Sequence, residues 1–109
     1  MAYDEGLANR IRDVLSRTAG VSERKMFGGL AFMIAGNMAC GVVGQDLMLR
    51  LGEDGADAAL DEPHVRPMDF TGRPMRTMVY VAAAGIATRD ALEQWVRRGA
   101  EFAAALPPK

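Results

Sequence analysis

The 109-residue chain is poor in the residue types that build covalent or metal-held structure: one cysteine, Cys40, and one histidine, His64. A lone cysteine excludes an intramolecular disulfide. One thiol and one imidazole also fall short of the ligand count of a zinc site. Neither sign of charge dominates, with 13 basic against 14 acidic residues and a formal net charge of −1. A free-standing nucleic-acid binder needs surplus Lys and Arg to release phosphate counterions, so direct DNA or RNA recognition is not favoured and only a local basic patch remains open. No apolar run approaches the ~20 residues of a membrane span. The polar start MAYDEGLANR lacks the regions of a secretion signal. These absences point to a soluble protein of the reducing cytoplasm. A chain this long holds one hydrophobic core, so residues 1–109 read as a single domain.

Glycine and methionine are what the chain has instead, 12 and 8 of them, concentrated in KMFGGLAFMIAGNMACGVVGQDLMLRL, residues 25–51. Apolar runs punctuated by Gly28-Gly29, Gly36-Asn37 and Gly44-Gln45-Asp46 predict a meander of three or four antiparallel strands around 24–34, 38–43 and 47–51. Gly28-Gly29 reads as a bulge or sharp bend. A two-residue turn at Gly36-Asn37 sets Ile34 opposite Ala39, Phe32 opposite Gly41 and Leu30 opposite Val43. That face, large against small, is the one expected to receive the helices. Ala31, Met33, Ala35, Met38, Cys40, Val42 and Met48 then share the other face, which is apolar too. Three helices cannot cover both sides, so an open patch and a twofold dimer through Met33, Met38, Cys40 and Met48 are expected.

Leu7, Ile11, Val14 and Leu15 give the apolar stripe of a first helix, about residues 4–17, with Asp4 as its cap. GEDGADAALDE, residues 52–62, suits a short helix. Its five acids lack the ordered ligand series of a calcium loop. Residues 65–81 read as two strands around Thr71-Gly72-Arg73-Pro74, with Pro67 confining the first to an edge. Thr88 caps a last helix whose apolar face carries Leu92, Trp95, Val96, Gly99, Phe102, Ala103 and Leu106. Trp95 is expected to anchor the core.

Catalytic chemistry finds little support. Cys40 with His64 would be the candidate nucleophile and base, but a mid-strand thiol between Ala39 and Gly41 is usually an inert small hydrophobe. No metal ligand set and no cofactor motif is present. A glycine pair beside Lys25 lacks the helix start and GxxxxGK[ST] pattern of a phosphate loop. Lys25, Arg50, Arg66, Arg73 and Arg76 form the alternative reading, a small-anion or nucleic-acid-binding patch, if their strands neighbour one another.

The segments KMFGGLAFMIAGNMACGV, DLMLRLG, RPMDFTGRPM and LEQWV together resemble the N-terminal domain of the TfoX/Sxy family of bacterial competence regulators. MFGG and GRPM are the most specific parts. The resemblance runs from about residue 7 to the C-terminus. The element order α-β(3-4)-α-β(2)-α itself reads as an α+β two-layer sandwich, and the resemblance implies helices on one face of an antiparallel sheet, broadly like a type III secretion chaperone. It also implies a non-enzymatic regulatory module that binds protein, in the better-known members acting on transcription with the cyclic-AMP receptor protein. Those regulators carry a second, helical domain, so this chain reads as the stand-alone form. Candidate binding positions transferred from the motifs, without roles, are Lys25, Met26, Phe27, Gly28, Gly29, Arg50, Phe70, Gly72, Arg73, Pro74 and Met75, together with Trp95.

Overall fold

The computed structural model describes residues 3–70 and 72–108. Its first helix, α1 (Glu5–Val14), starts where the Asp4 carboxylate accepts hydrogen bonds from the Gly6 and Leu7 amides, at 2.8 and 3.2 Å. Capping fills donors that a helix start leaves without intrahelical partners. Strands β1 (Val21–Met26), β2 (Gly29–Ile34), β3 (Asn37–Val43) and β4 (Asp46–Arg50) follow as a meander, and α2 (Gly52–Ala59) leads to β5 (Val65–Phe70) and β6 (Arg73–Val81). A single 3-10 turn, Ala83–Ile86, precedes α3 (Arg89–Ala105), capped by the Thr88 hydroxyl, which accepts from the Ala91 amide at 3.1 Å. All six strands form one antiparallel sheet in the order β1-β2-β3-β4-β6-β5. Pro67 therefore does lie on an edge strand, where a missing N–H leaves no ladder bond unmade.

The expected strand over 24–34 is two strands. Phe27 and Gly28 both take positive φ, 56° and 75°, and turn β1 back on β2 as a tight hairpin. Two consecutive residues with positive φ give the right-handed twist that two-residue hairpins need. The next turn is Ala35-Gly36, with φ of 51° and 84°, one residue earlier than the sequence suggests. Asn37 is thereby drawn into β3 and buried, its side-chain amide donating to the Pro107 carbonyl at 2.9 Å. Between Phe32 and Met33 the register then slips: Met33 pairs with Met38, but Phe32 pairs with Cys40, leaving Ala39 as a bulge.

The bulge corrects the face assignment. Cys40 and Val42 join Phe32, Leu30, Leu47, Leu49, Val79 and Val81 in the core beneath the helices, rather than the methionine face. Leu7 and Ile11 of α1, Ala56 and Ala59 of α2, and Leu92, Trp95 and Val96 of α3 meet them there, so the helices do pack on the Phe32 side. Trp95 is 8% exposed, with Arg98 stacked over its ring at 4.3 Å.

The opposite face closes on itself. Met33, Met38, Met48, Met68 and Met78 are buried there with Ala31, and Met26, Phe27, Met75 and Tyr80 pack against them. Side chains of β1 and β6 line one cavity although three strands lie between them. In a flat sheet they would stand about 19 Å apart, at the usual spacing between neighbouring strands. The sheet is thus strongly coiled, and the domain is nearly isotropic, 30 × 29 × 26 Å. The open patch behind the expected dimer is absent: Met33, Met38 and Met48 are buried within one chain, and Cys40 lies on the other side. Among the described residues, no helix is long and apolar enough to cross a membrane.

Candidate functional site

Two hairpins carry the distinctive sequence motifs, and coiling of the sheet brings Met26 and Phe27 of one together with Met75 of the other over the methionine face. Met26 and Phe27 come from the β1–β2 hairpin, and Met75, Thr77 and Met78 come from β6; together with Met33 and Met38 they line a pocket of about 340 Å³. Arg24 and Arg50 also line it, and among the described residues no acidic one does. The Arg50 guanidinium sits 5.5 Å from the Phe102 ring centre, an arrangement that favours a fixed rotamer. Neither arginine has an acidic partner among the described residues.

The local sequence explains this geometry. Gly28 supplies the second positive φ of the hairpin turn. Gly29 has a different role: a Cβ there would come within 2.0 Å of the Val42 carbonyl oxygen, so only glycine lets β2 begin this close to β3. Phe27, at φ 56°, takes the first positive-φ position of the hairpin turn, unusual for an aromatic residue, and its side chain packs against the methionines. Backbone strain of this kind concentrates at functional sites.

Among the described residues, the basic motif positions do not form one patch. Lys25, with Gly28 and Gly29, lines a second cleft of about 550 Å³ that also holds Tyr3 and Glu5. Arg76 lines a third, between α2 and β6, with Glu53 and Asp57. Arg66 pairs with Asp46 at 2.5 Å and stacks over Tyr80 at 4.7 Å. Met26, Phe27, Arg50 and Met75 are the motif residues that the structure brings together. Gly72 is exposed, with φ 78°, in the β5–β6 turn, while the side chains of Phe70, Arg73 and Pro74 lie outside the described residues. Arg24, Met33, Met38 and Met78 complete the pocket without having been singled out as binding residues together. The spacing of methionines along three strands was a visible signal, but it indicates shared burial rather than a cavity.

A catalytic pair at Cys40 and His64 is not assembled. Cys40 is fully buried in the helix-side core, and burial pushes its thiol up from 9.0 to about 12, far from the thiolate that nucleophilic chemistry uses. His64 is exposed in the loop before β5. Among the described residues no group of three or more His, Cys, Asp or Glu is placed to hold a metal ion.

With this geometry, the family model of the TfoX N-terminal domain matches residues 13–103. The chain belongs to the TfoX N-terminal domain family. The match spans β1 through most of α3, so the motif hairpins and the methionine face are parts of the TfoX N-terminal domain itself. No curated protein and no solved structure matches the chain.

Proposed function

We propose that this chain is a non-enzymatic interaction module of the TfoX/Sxy type, working in the cytoplasm by binding a protein partner as an accessory to transcription regulation. The observation that carries this reading is the convergence of the two motif hairpins over a wall of methionines. Met26, Phe27 and Met75 are its half-buried members, and unbranched thioether side chains repack against varied shapes, which suits docking at that rim better than a reaction site. The tight Phe27-Gly28 turn sets an aromatic side chain at that rim. The chain's one thiol, Cys40, is buried on the other side of the sheet and does not face the pocket.

Affinity capture from native lysate tests the reading, comparing the wild type with Met75→Glu. Met75 is half-buried at the pocket, so a charge there alters the surface without breaking the core. A protein retained by the wild type and lost by the folded variant is the expected result. Recovery of a small molecule alone, or the same proteins from both, would count against protein docking at this site.

A further inference from the structure

We propose that the pocket between Arg24 and Arg50 binds a small amphipathic carboxylate, an acid with a short aliphatic or aromatic body. In four other clefts each basic residue is accompanied by an acid: Lys25 by Glu5, Arg76 by Glu53 and Asp57, Arg97 by Glu101, Arg10 by Asp4. Among the described residues, the methionine pocket differs from these in having basic residues and no acid on its walls. In a chain with more acids than bases, two arginines without a carboxylate partner leave a local positive field that an anion would satisfy.

The remaining walls specify the rest of the ligand. Met26, Met33, Met38, Met75 and Met78 surround the cavity with thioether and methylene surface, beside the Phe27 ring. Its volume of about 340 Å³ falls at the lower end of the range for small-molecule sites, which suits a ligand of modest size. A bare inorganic anion would leave that apolar surface unused, and a neutral lipid would leave both guanidinium groups unpaired. A carboxylate on an apolar body uses both, because the planar guanidinium fork matches carboxylate geometry. Arg50, which lines the cavity from β4, and the exposed Arg24 on β1 are the head-group partners. This inference goes beyond partner binding and does not depend on it.

Protein carrying [methyl-13C]methionine makes the pocket its own reporter, since seven of the eight methionines lie in this one cluster. The probes are octanoate, 1-octanol and inorganic phosphate, each titrated to millimolar concentration. Octanoate should shift the methyl signals of Met26, Met33, Met38, Met75 and Met78 saturably. 1-Octanol should bind about tenfold more weakly, the scale of one lost charge-assisted contact, and phosphate should leave these signals in place. Arg50→Gln and Arg24→Gln should each weaken octanoate while leaving the octanol affinity unchanged. Equal affinity for octanoate and octanol, a saturable response to phosphate alone, or no saturable octanoate shift would overturn the proposal. Arg24 is exposed, so its variant retains the fold and keeps the test decisive even if Arg50→Gln does not. No partner protein enters the measurement, so its outcome is separate from that of affinity capture.

Discussion

Gly99 of α3 lies so close to β3 that a Cβ on it would come within 2.5 Å of the Ala39 carbonyl oxygen and 2.9 Å of the Leu49 side chain. The contact falls on the bulge that sets which residues of β3 face the helices. Gly99→Ala gains helix propensity, worth up to about 1 kcal/mol at an exposed site. Here the collision is with backbone, which cannot swing away, so the variant should lose about 1–3 kcal/mol as an overpacked core does. Chemical denaturation checks this; an unchanged or raised midpoint would show that α3 can lift off the bulge freely.

Trp95 joins the helix layer to the sheet and is nearly buried. Its replacement by alanine should cost about 3–5 kcal/mol, the usual loss for a buried aromatic residue. The expected readout is a large drop in melting temperature, and no drop would place the indole outside the core.

Met33→Glu separates the two descriptions of the methionine face. On an open surface it would split an oligomer and leave the monomer folded. With Met33 8% exposed inside the cluster, the glutamate should instead destabilise the chain by more than about 3 kcal/mol. A folded Met33→Glu monomer derived from a wild-type dimer, seen by sedimentation, would restore the open-face description.

Cys40 should not react with a thiol reagent in the folded protein at pH 8, and its labelling should follow unfolding. Burial favours the neutral thiol, so its folded pKa, about 12, lies above the ordinary 9.0. The stability linked to this difference is present below pH 9 and is lost as the pH rises through about 12. Cys40→Ala should show a shallower alkaline decline than the wild type. Rapid labelling at pH 8 without unfolding, or identical alkaline slopes, would contradict the burial.

Local chemistry was legible in the sequence. Asp4 and Thr88 announced their helices, the proline at 67 announced an edge, and the glycine punctuation announced the meander. What was hidden depends on contacts distant in the chain. Ala35 adopts positive φ although alanine gives no hint of it, and Asn37 then pairs with Pro107, seventy residues away. The bulge at Ala39 carries the close approach of Gly99, which no pattern within β3 records. Together these shifts moved Cys40 from one face to the other. Alternation predicted two apolar faces correctly, but not that the sheet would coil and bury the second one itself. The candidate site was half visible: the MFGG and GRPM segments marked the hairpins, whereas Arg24 and the enclosing of the pocket emerge only when β1 and β6 meet.

Protein docking at the methionine pocket is tested most directly by site-specific photo-cross-linking in native lysate. Benzoylphenylalanine would replace Phe27 at the pocket or Gln94 on the exposed side of α3. A discrete protein adduct from position 27 and none from position 94 is the predicted result. No protein adduct from position 27, or the same adducts from both, would contradict it.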